Sequence, residues 1–408
     1  MIEDISGKRW FMGKGRPIHS IEELGSIPLG GTKVSILQVR FESNKNDECD
    51  YYCVIEDESK IGAVLAEYFG PKFPKEKLLH AQPLNAEQSN SAFYSKGEFF
   101  FKLYRRLQVG EHPEAEILKH LSQKAAQGFP KIAPELYGTF SLTKSGETRT
   151  LGILEEHIPD AQNAWDLMVR TPNEKTQSGN QNFFADAAFE LGRTTAQMHR
   201  ALKDLEGTPA QAEEVPFDKL IGLLKANGKD DLVPIIQKKQ FLFQQKKEIP
   251  TLVAMRTKEQ SSKCCPPERV REDKQNTSAP SLKPQRIHGD YHLGQLLYKD
   301  GKFIVLDFEG EPTRTLEYRR RLRSPAADIA GMLRSFAYAS AVRGDKEFEQ
   351  VTAEAFLQGY SRDSGISVPQ LKEEASPYVL GKAIYEACYE LEYRPDWFWI
   401  PERAFSAP

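Results

Sequence analysis

The chain has 408 residues, 39% hydrophobic and 28% charged, enough for one large bilobal unit or two to three domains and too apolar for a disordered chain. Lys plus Arg number 55 and Asp plus Glu 58, a formal charge of −3 that argues against nucleic acid as the main partner. No apolar run reaches the roughly 18 residues of a membrane-spanning helix. The first residues, Met1-Ile2-Glu3-Asp4, lack the pattern of a signal peptide, and the five cysteines are too few and odd in number for a disulfide framework. A cytoplasmic protein is expected. Neither Cys49 and Cys53 nor the adjacent Cys264 and Cys265 has a second Cys or His pair at zinc-site spacing.

In chain order, Lys33 to Phe41 alternates Val34, Ile36, Leu37 and Val39 with polar residues, and Tyr51 to Ile55 runs back after a polar link. This predicts an antiparallel hairpin within a β-rich stretch of about 85 residues. A second hairpin is predicted from Ala92-Phe93-Tyr94 and Phe99 to Tyr104, where Lys102 interrupts an apolar strand. A helix should start at Pro113, a favoured first-turn residue, with Ile117, Leu118, Leu121 and Ala125 on one face. Leu151 to Leu154 reads as a short strand leading into Glu155-Glu156-His157-Ile158-Pro159. The spacing of Phe184, Ala187, Ala188, Leu191, Thr195, Met198 and Leu202 predicts a long amphipathic helix. Arg256 to Gln285, rich in Lys, Arg, Ser and Pro, reads as a surface insertion. A third hairpin is predicted from Leu296-Leu297-Tyr298 and Phe303 to Asp307, and helical patterns fill most of Asp328 to Tyr393. The fold class is therefore α+β, with strands mainly early and helices mainly late.

Ile287 to Glu309 carries the chemistry. His288, Asp290 and Gln295 fall on a loop, and Asp307 follows at the end of the returning strand, so the hairpin can gather Asp290, Gln295 and Asp307. Phosphoryl transfer from a nucleoside triphosphate needs such a set: a carboxylate to take the acceptor's proton, and an amide oxygen with a second carboxylate for Mg²⁺. The amide lies five residues after the acid, as in protein-kinase catalytic loops, though it is Gln rather than Asn. Lys102 can reach the α- and β-phosphates of ATP, with Glu116 placed to pair with it from the following helix. The glycine-free loop Gln88-Ser89-Asn90-Ser91 offers phosphate donors, Ser91 among them. Leu151 to Ile158 sits where a hinge belongs, with Glu156 and Ile158 beside the adenine. Alone, Lys102 reads as an amphipathic strand residue and Glu116 as a solvated one; His288 reads as an orienting residue. A rival treats His288, Asp290 and His292 as hydrolase metal ligands, leaving Lys102, Glu116 and Asp307 without a role.

Arg286 to Tyr298, Leu306-Asp307-Phe308-Glu309-Gly310-Glu311-Pro312, Arg319-Arg320-Arg321, and Ser324-Pro325 through Phe336 together resemble the bacterial maltokinases. Arg9-Trp10-Phe11 with Gly13-Lys14-Gly15-Arg16, Lys102 to Arg106, and Tyr393-Arg394-Pro395-Asp396-Trp397 extend the resemblance over nearly the whole chain; Met12 stands where the family often has Gly. That family is related to aminoglycoside phosphotransferases. The resemblance implies a bilobal protein-kinase-like fold, with a cap subdomain over residues 1–85, an ATP-binding lobe and hinge over 86–158, and a helical lobe over 159–408. It implies transfer of the ATP γ-phosphate to the anomeric hydroxyl of maltose in an α-glucan (glycogen) pathway starting from trehalose, beside or fused to trehalose synthase. By carry-over, Asp290 is the base, Gln295 and Asp307 bind Mg²⁺, Lys102 and Glu116 hold phosphate, and Asp328 braces the catalytic loop through backbone N–H groups.

For the sugar, Tyr385, Tyr389, Arg394 and Trp397 supply flat faces and polar forks, although either tyrosine reads equally as a core residue. Glu309 and Glu311 could add a metal or hydroxyl contact. Alternatives to the maltose reading are a kinase of an aminoglycoside or choline, whose cationic acceptors call for carboxylate-lined pockets, and a nucleotide-binding scaffold without catalysis. Against the scaffold, the base, the metal carboxylate and the lysine are all filled.

Overall fold

The computed structural model describes residues 5–42, 49–84, 90–171, 183–211, 214–245, 281–311 and 314–405. Gln88, Ser89, Cys264, Cys265, Pro312 and most of the 256–285 insertion lie outside them. Three antiparallel sheets and a set of long helices make up the fold. The first sheet has the order β1 (Ile18–Leu29), β2 (Thr32–Phe41), β3 (Cys49–Ile55) and β7 (Arg106–Leu107). The predicted hairpin is the β2–β3 pair. β1 was not legible, because its side chains are mostly half-exposed and a register shift between Glu23 and Gly25 breaks its alternation.

The second sheet runs β4 (Gln82–Leu84), β5 (Ser91–Ser95), β6 (Phe99–Leu103), β9 (Glu147–Glu155) and β8 (Leu136–Lys144). It packs Phe93, Phe99, Phe101, Phe140, Ile153 and Leu154 against α1 (Ile61–Phe69) and α2 (Pro113–Ala126) in one continuous core. Arg105 clamps the two sheets together. It is fully buried, donating to Ser91 Oγ at 2.8 Å, the Cys53 carbonyl at 3.3 Å and Glu58 at 2.5 Å, with its guanidinium over the Trp10 ring.

The C-terminal lobe is built on α3 (Phe183–Leu202), α4 (Ala326–Arg343), α5 (Lys346–Ser364) and α6 (Val368–Tyr393). A Cβ at Gly192 would strike the Phe356 carbonyl and one at Gly359 the Phe189 carbonyl, so reciprocal glycines let α3 and α5 approach closely. At the lobe junction lies the third sheet, β10 (Gln162–Asn163), β11 (Leu296–Lys299) and β12 (Lys302–Val305), the last two forming the third predicted hairpin. A sheet-rich first lobe and a helical second one make this the bilobal protein-kinase-like α+β fold. Among the described residues no helix is long and apolar enough to cross a membrane.

Candidate active site

The loop between Arg286 and Leu296 is fixed from beneath by the first turn of α4. Asp328 is almost fully buried and accepts the backbone N–H groups of His288 and Gly289, both at 2.9 Å, with His199 Nε2 at 3.0 Å. Burial alone would raise its pKa, but the bond from His199 and the loop amides hold the carboxyl below its ordinary value. Gly331, one turn on, lets α4 lie against the Tyr291 carbonyl, where any Cβ would clash.

His288 uses both ring nitrogens. Nδ1 accepts the Asp290 N–H at 3.3 Å, which leaves the proton on Nε2, 2.8 Å from the Leu306 carbonyl. His292 Nδ1 accepts the Gly294 N–H at 3.1 Å. Both histidines thus orient backbone, and among the described residues no group of three or more His, Cys, Asp or Glu could hold a metal ion. The hydrolase arrangement is not formed.

Beyond the loop the β11–β12 register places Leu296 opposite Val305, and Leu306 N–H donates to the Gln295 carbonyl at 2.9 Å, so Gln295 and Asp307 emerge side by side from the hairpin base. Asp307 has φ +61, a left-handed backbone uncommon outside glycine.

Lys102, nine-tenths buried, comes from the other lobe to meet this point. It forms ion pairs with Asp307, with Glu114 at 3.0 Å and with Glu309 at 3.2 Å. Desolvation works against the ammonium, yet these three carboxylates push its pKa well above the ordinary value, so it stays charged. Burial would raise the Asp307 pKa, but Lys102 pulls it down to about 2. Burial, with Asp307 and Glu114 nearby, pushes Glu309 up to about 8 despite Lys102. Asn90 Nδ2 donates to Glu309 at 3.1 Å, bringing the β5 loop to the same cluster.

The lysine's helix partner is corrected by the structure. Glu114, not Glu116, faces Lys102 and also accepts the Tyr104 hydroxyl at 2.7 Å. Glu116 points away, pairing with Arg286 at 2.9 Å and Arg320 at 3.1 Å. Helical phase explains it: Glu114 precedes the buried Ile117 and Leu118 by three and four residues, whereas Glu116 lies off that face. Two further nucleotide-contact expectations find their side chains committed elsewhere. Ser91 Oγ accepts from Arg105, and the Glu156 carboxylate pairs with Lys131 at 2.6 Å and accepts the Glu135 N–H at 3.1 Å. Glu156 and Ile158 lie in the non-helical segment following β9, and the Glu156 N–H itself donates to the Glu135 carbonyl at 2.9 Å.

On the opposite flank of Asp290 stands α6. Lys382 Nζ lies 3.7 Å from Asp290, a neighbour that sequence reasoning missed because its helix turns near the end of the chain give no local cue. Tyr385 and Tyr389 are 56% and 43% exposed, while Ala383, Ile384 and Ala387 carry the core face, so the tyrosines are not core residues. Tyr385 shares the electrostatic surroundings of Asp290, Glu311 and Arg314. Arg394 bonds Glu390 at 2.7 Å and covers the rings of Tyr389 and Trp397, and Trp397 stacks on Tyr338.

This geometry — a charged lysine and two carboxylates on one side, an acid on a braced loop on the other — has the parts of a phosphoryl-transfer site. The phosphotransferase enzyme family (APH) model matches residues 80–366, and the chain belongs to that family: it is a phosphotransferase. Over 319 residues it is 23% identical to a glucosamine kinase of Streptacidiphilus jiangxiensis, covering 74% of this chain and 67% of that protein. A glucosamine kinase of Mycolicibacterium smegmatis is 22% identical over 340 residues, covering 80% and 79%. The fold is similar to that of a glucosamine kinase solved with glucosamine, ADP and inorganic phosphate, at a TM-score of 0.63 and 17% identity over 95% of this chain and 94% of that one.

Proposed function

We propose that this phosphotransferase moves the γ-phosphate of ATP to the anomeric hydroxyl of maltose, yielding maltose 1-phosphate for glucan synthesis, with the disaccharide supplied by a trehalose-converting enzyme. The observation that carries the phosphotransfer reading is the meeting of Lys102, Glu114 and Asp307 across the lobes. The maltose assignment rests on the motif resemblance. In this reading Asp290, on the loop whose backbone His288 and Asp328 fix, accepts the proton of the attacking hydroxyl. Lys102, fixed by Glu114, holds the α- and β-phosphates. Asp307, ionised, and the Gln295 amide are hard oxygen donors that fit Mg²⁺, which when bound would neutralise charge on the transferring phosphate. Tyr385, Tyr389, Arg394 and Trp397 receive the sugar rings.

A second reading, phosphorylation of glucosamine, is favoured by the names of the relatives above. Lys382 weighs against it. The Lys382 ammonium repels a cationic acceptor, an effect that its Asp290 partner at 3.7 Å partly offsets. Turnover of Mg·ATP measured in parallel with maltose, glucose, glucosamine, kanamycin and choline tests the assignment. Maltose should give the highest kcat/KM, and activity confined to the cationic acceptors would remove it.

A further inference from the structure

We propose that Glu155 reads the N6/N7 edge of adenine and makes this enzyme prefer adenine over guanine nucleotides. The inference rests on the cleft being the nucleotide site. β9 ends at Glu155 and hands the chain to the segment that joins the lobes. In the β6–β9 register Phe100 faces Glu155 and Lys102 faces Ile153, so Glu155 and Lys102 project from the same face of the sheet. Glu156, next along, projects the other way to Lys131.

Glu155 is 7% exposed and makes no side-chain hydrogen bond or ion pair with another described residue. Its oxygens are not among the enclosed unpartnered atoms of the described residues, so they keep solvent contact and are open to a ligand. Desolvation, reinforced by Glu114, Asp307 and Glu156 and opposed by Lys102, raises its pKa well above the ordinary carboxylate value. A protonated carboxyl presents one carbonyl acceptor beside one O–H donor. That pair has the layout of an Asn or Gln amide, which complements adenine through N6–H and N7. Guanine offers O6 and N7, both acceptors, so the Glu155 carbonyl would face a lone pair.

The test is calorimetric titration of the full-length protein, without acceptor, with ADP, GDP and 7-deaza-ADP, which lacks the N7 acceptor. One neutral hydrogen bond corresponds to about fivefold in affinity. Wild type should bind ADP at least about tenfold more tightly than GDP and 7-deaza-ADP about fivefold more weakly than ADP. Glu155→Gln should keep both preferences, and Glu155→Leu should lose the 7-deaza penalty and most of the ADP preference. Equal binding of ADP and 7-deaza-ADP by wild type, or an undiminished ADP-to-GDP ratio in Glu155→Leu, would overturn the proposal while leaving the cleft intact. Wild type binding none of the three would overturn the cleft assignment with it.

Discussion

Glu114 and Glu116 lie two residues apart on one helix and should fail in opposite ways when neutralised. Glu114→Gln keeps shape but removes the acceptor's charge from two bonds, from Lys102 at 3.0 Å and Tyr104 at 2.7 Å. Each exchange forfeits about 1 kcal/mol. Relief of repulsion from the ionised Asp307 offsets part of this, so the net loss of stability should be about 1 to 2 kcal/mol. Lys102, now held only by Asp307 and Glu309, is drawn off the phosphate position, and kcat/KM for ATP should fall by about 10- to 100-fold. Glu116→Gln strips the carboxylate from Arg286, which is fully buried and has two further nitrogens without a partner. An uncompensated buried charge costs about 3 kcal/mol or more, yet nothing at Lys102 changes. Urea denaturation followed by fluorescence, together with ATP titrations of turnover, separates the two. If Glu116→Gln loses ATP usage while Glu114→Gln keeps it, the orientation of α2 argued here is wrong.

Other outcomes follow from the same geometry. Asp290→Asn should lower turnover by at least about 100-fold while ADP affinity, measured by calorimetry, changes little; near-normal turnover would remove Asp290 as the base. Asp328→Asn turns an acceptor oxygen into a donor against one of the two loop amides, and should lose about 1 to 3 kcal/mol in denaturant titrations along with turnover. Unchanged stability would show that the loop does not depend on this carboxylate. Glu309 holds a proton in the fold up to about 8 but loses it near 4.5 when unfolded. Its contribution to ligand-free stability therefore falls as pH rises through that window. Asp307, depressed to about 2 from 3.8, acts in the opposite sense, its stabilisation being lost as pH falls through that range. Thermal melts from pH 5 to 8 should show a decline that Glu309→Gln flattens; an identical profile in the variant would count against the buried, protonated Glu309.

The parts legible in the sequence were those fixed by local pattern. Alternation over β2 and short apolar runs around polar turns gave the β2–β3, β5–β6 and β11–β12 hairpins, and the loop-to-hairpin spacing placed Gln295 and Asp307 together. Asp328 stands on a helix 40 positions beyond His288, yet the motif resemblance alone had assigned it the loop amides. What escaped was long-range partner choice. Arg105 takes the Ser91 hydroxyl, and Lys382 reaches Asp290 across 92 residues, because these contacts depend on how sheets and helices dock rather than on spacing. Glu114 is the exception: its phase with Ile117 and Leu118 was present in the helical pattern and outweighs the nearer match of Glu116 to the expected separation.

The most direct measurement is phosphorus NMR of the product formed from Mg·ATP and maltose, with mass spectrometry to count phosphoryl groups. The account predicts one phosphate per disaccharide, its resonance coupled to the anomeric proton, and none with Asp290→Asn. A phosphate attached at any other position, or ATP consumed only when glucosamine replaces maltose, would contradict it.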